Sequence, residues 1–327
     1  VIDSPSGEIF APFTLPGERI EGVVEKGRIL SSKIIEPVAN RIKPACKHFK
    51  ICGGCSMQHA SDELLADWKI TKTKEALLQV GLTPEFRPII NSGIGSRRRA
   101  TFAAKRTKKG SMVGFHGRAS DIIVEITECP VSDPALLKGI PAFAKFATLG
   151  TSRKAVLRIN ATVSGKGLDV KIDNGKELSP TEISQFAQIC SQYKILRLMW
   201  NDDVISQSHP PSQPMGAANV VPPSGAFLQA THTGEAALVE TVMEIVSPAK
   251  RVVDLFAGCG TFALPIASRS AVHAVEGEVN MISALDAGWR AAGGLHDVRA
   301  ETRDLFRRPL MPDEFKKVDA IVIDPPR

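Results

Sequence analysis

Residues 7–38 (GEIFAPFTLPGERIEGVVEKGRILSSKIIEPV) alternate short apolar groups with turn residues and predict a small all-β module. Residues 61–80 (SDELLADWKITKTKEALLQV) are instead dense in helix formers. Leu64, Leu65, Trp68, Leu77 and Leu78 can share one face and Ser61 suits the N-cap, so a helix is expected there. Short strand-like runs return from about 96 to 131. The stretch 151–200 mixes strands (AVLRINATV, GLDVKI) with a helix over 180–191. Five prolines in 207–225 mark a connector or irregular edge. After it come a helix (234–246), a strand (251–256), a glycine-rich turn, another helix, the strand AVHAVE and the buried strand DAIVID. That alternation predicts a parallel α/β sheet. No internal repeat or low-complexity tract interrupts it.

A chain of 327 residues suggests about two domains, and 43% apolar residues can fill sizeable cores. Six cysteines are too few for a disulfide scaffold and favour a reducing, cytoplasmic setting. No run reads as a membrane span or signal peptide. The net charge of +6 tilts the expectation toward a polyanionic partner. The start at Val1 and the stop at Arg327 lead to the expectation that the chain is truncated at both ends.

Cys46, Cys52 and Cys55 are spaced C-x5-C-x2-C, and Gly53-Gly54 lets the loop fold tightly. Cys129, in ITECPV, is the best fourth thiolate. Such a set suits an iron–sulfur cluster, with a four-cysteine zinc site as the rival and free buried cysteines as the bland alternative.

The segment RVVDLFAGCGTFALPI runs a strand into Gly258-Cys259-Gly260 and a helix, so a ligand can approach the backbone closely. Glu276 ends the next strand, where a carboxylate can accept both ribose hydroxyls of a nucleoside. With Ala263 the pattern also fits G-x-G-x-x-A, which keeps NAD open. Asp324 ends DAIVID before two prolines. The acidic residue with D-P-P is similar to class I S-adenosylmethionine (SAM) methyltransferases, the alternative being a plain strand-end turn. Arg327 stands where adenine-N6 enzymes carry an aromatic residue, so a different base chemistry is expected.

Between Arg87 and Ser120 lie nine basic residues and no acidic one, among them Arg97, Arg98, Arg99, Lys105, Arg106, Lys108, Lys109 and Arg118. Like charges at that density are best tolerated where a polyanion neutralises them, although a solvated hairpin face would look the same.

Together these residues resemble the RNA uracil-C5 methyltransferases, specifically the iron–sulfur branch that modifies 23S ribosomal RNA. FAPFTLPGERIEG is similar to part of a TRAM module, SRRRATF and GFHGRASDIIVEITECPV to the central domain, and SGAFLQA to the F-x-Q motif. The resemblance implies a [4Fe–4S] cluster on Cys46, Cys52, Cys55 and Cys129. It implies a SAM site lined by Gln229, Phe256, Gly258, Gly260, Thr261, Glu276, Asp304 and Asp324. Thr231 and Thr261 stand where members of the family carry Asn. The implied reaction adds a cysteine thiolate to C6 of uracil before C5 takes the methyl group; the resemblance places that nucleophile and the base downstream of Arg327, and neither Cys190 nor Cys259 matches it.

The expected fold class is multidomain α/β and β. Residues 1–40 form a partial TRAM-like, OB-type β-barrel module. Residues 41–225 form a central β-rich domain carrying the cluster and an RNA surface at Arg97, Arg98, Arg99, Lys105 and Arg106. Residues 226–327 form a partial Rossmann-like methyltransferase domain, onto which helix 61–80 packs. The expected state is a monomer. The rival functions are a tRNA uracil-C5 methyltransferase, a non-catalytic iron–sulfur RNA-binding scaffold and an NAD-dependent enzyme. The tRNA branch typically lacks both the TRAM module and the cluster.

Overall fold

The structure, a computed structural model, describes residues 2–4, 7–29 and 31–326. Contacts divide the chain into two compact units, Val1–Ile89 with Phe115–Pro130, and Ile90–Gly114 with Val131–Arg327. The divisions at 40/41 and 225/226 expected from motif content follow composition, not contacts.

In the first unit, β1 (Ile2–Ser4), β2 (Gly7–Ile9), β3 (Arg19–Glu21), β4 (Val24–Glu25), β5 (Arg28–Ile29) and β6 (Lys33–Glu36) form three antiparallel pairs, β1–β2, β3–β6 and β4–β5. Leu15, Ile29, Phe49 and Ala60 supply a small core. The Phe49 ring meets those of Phe13 at 5.2 Å and His59 at 5.5 Å. Helix α1 (Asp62–Leu78) starts where the sequence predicts, with Ser61 Oγ accepting from the Leu64 N–H and two acidic residues in its first turn. None of its residues is buried and Trp68 is 48% exposed, so the shared apolar face builds no core of its own.

The second unit opens with β7 (Arg99–Arg106) and β8 (Ser111–His116), the latter belonging to it as far as Gly114. Strand β9 (Ile123–Glu125) lies in the first unit. Then follow α2 (Pro134–Lys138), α3 (Ile140–Gly150), β10 (Val156–Ser164), β11 (Gly167–Asp173), α4 (Pro180–Gln192), β12 (Ile195–Trp200) and β13 (Asp203–Gln207). The strands pair in the order β13-β12-β11-β10-β7-β8, antiparallel except between β11 and β12, where α4 makes the crossover. Helix α4 starts with Pro180 after a capping box of Ser179 and Glu182. Beneath the sheet Phe146, Phe186 and Trp200 pack in series, 4.8 and 5.0 Å apart. The proline-rich connector holds the hairpin β14 (Gln213–Met215) and β15 (Ala218–Val220). Buried Arg197 fixes its far end, forking onto Asp169 at 2.8 and 2.7 Å while donating to Pro222 O at 2.7 Å.

The rest of the unit comprises α5 (His232–Val246), β16 (Arg251–Leu255), α6 (Ala263–Ile266), β17 (Ala271–Glu276), α7 (Val279–Ala291), β18 (Val298–Thr302) and β19 (Ala320–Ile323). These four strands are parallel in the order β18-β17-β16-β19, the central part of a doubly wound sheet. The order reverses between β17 and β19 on either side of β16, so its carboxyl end is the switch point where such sheets take ligands. The helix expected after the glycine turn is a single turn, because Pro265 stands within it. Among the described residues no helix is long and apolar enough to cross a membrane.

Candidate functional site

The turn that leaves β16 is strained. Phe256 has φ +62°, Gly258 +55° and Gly260 +98°. The two glycines meet this without penalty; Phe256 does not, and such strain persists where surrounding structure imposes it. A Cβ on Gly260 would lie 2.9 Å from Leu264, whereas one on Gly258 would meet nothing within 4 Å. The turn is therefore sealed on the protein side at Gly260 and open at Gly258.

Glu276, at the end of β17, is fixed across this turn. Its two carboxylate oxygens accept from the N–H groups of Gly258 and Glu278, each at 3.0 Å. A carboxylate held this way keeps free lone pairs for donors on a ligand. Asp324, at the end of β19, is exposed. Asp304 caps the turn after β18, accepting from Phe306 N at 3.0 Å and Arg307 N at 3.2 Å. Phe306, 75% exposed, sets its ring 5.4 Å from that of Phe256. Thr261 is half-buried on the same turn.

Asp254, at the penultimate position of β16, was not singled out from the sequence. It is 1% exposed, and neither side-chain oxygen has a hydrogen-bond partner among the described residues. Burial pushes its pKa up to about 7; the Ala263 N–H, near the carboxylate but outside hydrogen-bond geometry, opposes this, and the charges of Asp324 and Glu276 add to it. Three carboxylates thus crowd the ends of three adjacent strands, a field suited to a cationic ligand. The available signal was an acidic residue inside the apolar run VVDLF.

Gln229 is held by its backbone: its carbonyl accepts from Arg98 Nε at 2.9 Å. Arg98, expected at a nucleic-acid surface, is 1% exposed. Its guanidinium also reaches His232 Nδ1 at 2.9 Å and Gln213 Oε1 at 3.4 Å, and it pairs with Glu235. Adjacent residues of an extended chain point to opposite sides, so Arg98 turns inward while Arg97 stays exposed. Arg98 is a buried clamp, and this corrects the surface expectation for that residue. Arg99 is half-buried with its guanidinium 4.4 Å from the Phe227 ring centre. Lys105 and Arg106 are exposed at the end of β7.

The four cysteines of the expected cluster all lie in the first unit and none is in a disulfide. Cys52 is buried and Cys46, Cys55 and Cys129 are half-buried. Burial raises the Cys46 thiol pKa, and the charges of the other three cysteines add to the rise, so the four share one locale. Gly53 donates to His116 O at 2.9 Å, and a Cβ there would sit 3.0 Å from that oxygen. Gln58 accepts from Cys46 N at 3.1 Å, and Arg118 donates to Cys55 O at 2.8 Å. Among the described residues no group of three or more His, Cys, Asp or Glu side chains converges closely enough to hold a metal ion.

Cys190 and Cys259 are buried, and burial pushes both thiols up to about 12. Neither suits a nucleophile, which must be exposed and readily ionised. Arg327, after the two prolines, lies outside the described residues.

A parallel sheet of this order, with a glycine turn and carboxylates gathered at its switch point, is a Rossmann-like arrangement of the kind SAM-dependent methyltransferases use. No family model matches the chain. An uncharacterized RNA methyltransferase of Rhizobium meliloti is 41% identical over 335 residues, spanning 100% of this chain and 80% of its own length. The 23S rRNA (uracil(1939)-C(5))-methyltransferase RlmD of Chromohalobacter salexigens is 30% identical over 357 residues, spanning 100% of this chain and 73% of its own. The crystal structure of Pyrococcus abyssi tRNA (uracil-54, C5)-methyltransferase in complex with S-adenosyl-L-homocysteine superposes with a TM-score of 0.73 at 20% identity, covering 97% of this chain and 78% of that one. The chain belongs to the RNA uracil-C5 methyltransferase family, SAM-dependent enzymes that methylate RNA.

Proposed function

We propose that this protein transfers a methyl group from SAM to C5 of a uridine in 23S ribosomal RNA. The observation that carries the reading is the set of Asp254, Glu276 and Asp324 around the open Gly258 turn. SAM brings a sulfonium and an ammonium, and these carboxylates offer the complementary field. Glu276, already oriented by two N–H groups, takes the ribose hydroxyls. Phe256, Gly260 and Thr261 shape the turn around the nucleoside, Asp304 takes the adenine side, and Gln229, whose carbonyl Arg98 holds, is assigned to the same pocket. The base must leave its stack to meet the methyl group. A thiolate adds to C6, the resulting enolate takes the methyl group at C5 from the sulfonium and releases S-adenosylhomocysteine, and a base then removes the C5 proton as the thiolate leaves C6. Cys190 and Cys259 are unsuited to that attack, so no described residue takes the role.

The choice of ribosomal RNA over tRNA rests on the 30% identical relative and on Cys46, Cys52, Cys55 and Cys129, read as ligands of a [4Fe–4S] cluster. Four cysteines, none of them in a disulfide, share one locale around a glycine-tightened loop, and this supports the reading. A single zinc ion needs its sulfurs to converge at about 2.3 Å, whereas a cluster spreads its ligands over several irons. Bound there, the cluster would tie the 46–55 loop to Cys129; methyl transfer from a sulfonium moves no net electrons, so a structural part suffices. The strand pairs of residues 2–36 are read as part of a TRAM-like RNA-binding module.

Tritiated-methyl incorporation by the full-length protein into unmodified 23S rRNA and tRNA, with S-adenosylhomocysteine (SAH) and NAD binding measured alongside, tests the reading. Label in 23S rRNA and tight SAH binding are expected; label in tRNA alone would move the substrate to the other branch. NAD binding without SAH binding would sink the methyltransferase reading. For the cluster, anaerobically purified protein should contain iron and sulfide in about equal amounts. Stoichiometric zinc without sulfide would refute it. Cys52→Ser should lose the iron, whereas Cys190→Ser should keep it.

A further inference from the structure

The register of the antiparallel sheet brings two separate loops to one end of it. Val156, the first residue of β10, pairs with Lys105 near the end of β7. The β7–β8 turn and the segment between α3 and β10 therefore leave the sheet side by side. The turn Thr107–Gly110 is closed by Thr107 N donating to Gly110 O at 2.8 Å, which fixes its two lysines in a short hairpin tip. The opposite segment is shaped by Lys154 N donating to Ser152 Oγ at 3.3 Å. Between them is a cleft of about 370 Å³ lined by Arg106, Thr107, Lys108, Ser152 and Arg153.

Arg106, Lys108 and Arg153 line this small cleft, Lys109 and Lys154 adjoin them in sequence, and all five are exposed. Among the described residues none of the five makes an ion pair, and no acidic residue lines the cleft. Elsewhere in this unit exposed charges do find partners: Lys176 meets Glu182 at 2.6 Å and Arg290 meets Asp286 at 2.6 Å. Five like charges held together repel one another unless an anion joins them. Thr107 and Ser152 add hydroxyls, which together with guanidinium forks match the oxygens of a phosphodiester.

We infer that the cleft between Arg106–Lys109 and Ser152–Lys154 is a docking site for consecutive backbone phosphates of the RNA substrate. It rests on the RNA reading above and joins Thr107, Ser152, Arg153 and Lys154 to the basic stretch that holds Arg106, Lys108 and Lys109. The site lies between loops at one end of the antiparallel sheet, on residues distinct from those of the cofactor crater. It positions RNA and carries no base specificity, because phosphate contacts fix register without reading sequence.

The test compares Arg106→Ala/Arg153→Ala with a control of equal charge change, Lys316→Ala/Lys317→Ala, in the full-length protein. Each phosphate contact to single-stranded RNA contributes about −0.7 to the slope of log affinity against log salt. The cleft variant should lower that slope by about 1.4 and weaken RNA binding by about tenfold, with SAH affinity unchanged. The KM for RNA should rise by a similar factor at constant kcat, the signature of lost uniform binding. Arg153→Lys should restore most of the loss. If cleft and control variants lose affinity equally, only net charge matters and the site is refuted. Inorganic phosphate bound in the cleft with RNA affinity unaltered would refute it too, by making the ligand a free anion. Failure of the wild-type protein to bind RNA at all would instead refute the function on which this rests.

Discussion

At the scale of single residues, Asp254 has the environment most unlike that of an ordinary side chain of its type. It is a carboxylate inside a strand, with β17 on one side and β19 on the other, and burial holds its pKa at about 7. An unfolded Asp titrates near 4. Between those values the folded state binds more protons than the unfolded state, so stability falls as pH rises through the window. The ligand-free protein should therefore lose stability between about pH 4 and about pH 7 in excess of an Asp254→Asn variant. Asn keeps the shape and carries no charge. Urea melts of both proteins at a series of pH values check this, the difference between them isolating one group. At pH 8 the variant should be the more stable when free, yet bind SAM more weakly, because the negative field of the crater is reduced. Equal pH profiles would place Asp254 in a better solvated setting than its burial indicates.

At the scale of elements, Arg98 joins three: β7, which it immediately precedes, the loop carrying Gln229, and the first turn of α5 through His232 and Glu235. Removing one partner of a buried pair leaves the other charge uncompensated, at about 3–5 kcal/mol. Arg98→Ala should destabilise the second unit by an amount in that range and weaken SAH binding as the Gln229 loop loosens. Glu235→Gln should cost less, since an amide can still accept from the guanidinium. Thermal melts with SAH titrations on both variants check the order. Arg98 also marks the limit of what the sequence discloses. In the run Arg97-Arg98-Arg99 strand alternation already marks the middle member as the one facing the other way, and the structure supplies its buried partners, Gln229, His232 and Glu235. The strand alternation of 251–276, the helix start at Ser61 and the capped helix from Pro180 were legible because each rests on local spacing or capping chemistry. The glycine turn was legible for the same reason. Asp254 was hidden because one acidic letter in an apolar strand does not say which neighbours it meets, and Arg153 because its partner loop lies over forty residues away in sequence.

At the scale of the whole molecule, the net charge of +6 is unevenly used. Carboxylates gather at the carboxyl edge of the parallel sheet, and unpaired cations gather at one end of the antiparallel sheet. Binding of the two ligands should then respond differently to salt. Contact with RNA releases counterions condensed on the polyanion, so its affinity carries a steep power of salt concentration. Three phosphates neutralised give a slope of about −2.1, and a fourfold rise in salt then costs about 20-fold in affinity. SAH carries no net charge and is held by short hydrogen bonds to groups such as Glu276, where screening has little distance over which to act. Its affinity should change by less than about twofold over the same range. Fluorescence titrations of a labelled rRNA fragment and calorimetry of SAH, both from about 50 to about 200 mM salt, measure the two responses on one preparation. A flat RNA response would mean that recognition is carried by uncharged contacts, and the basic surface would lose its role. An equally steep SAH response would mean that the crater acts through long-range field alone, contrary to the fixed geometry of Glu276 across the glycine turn.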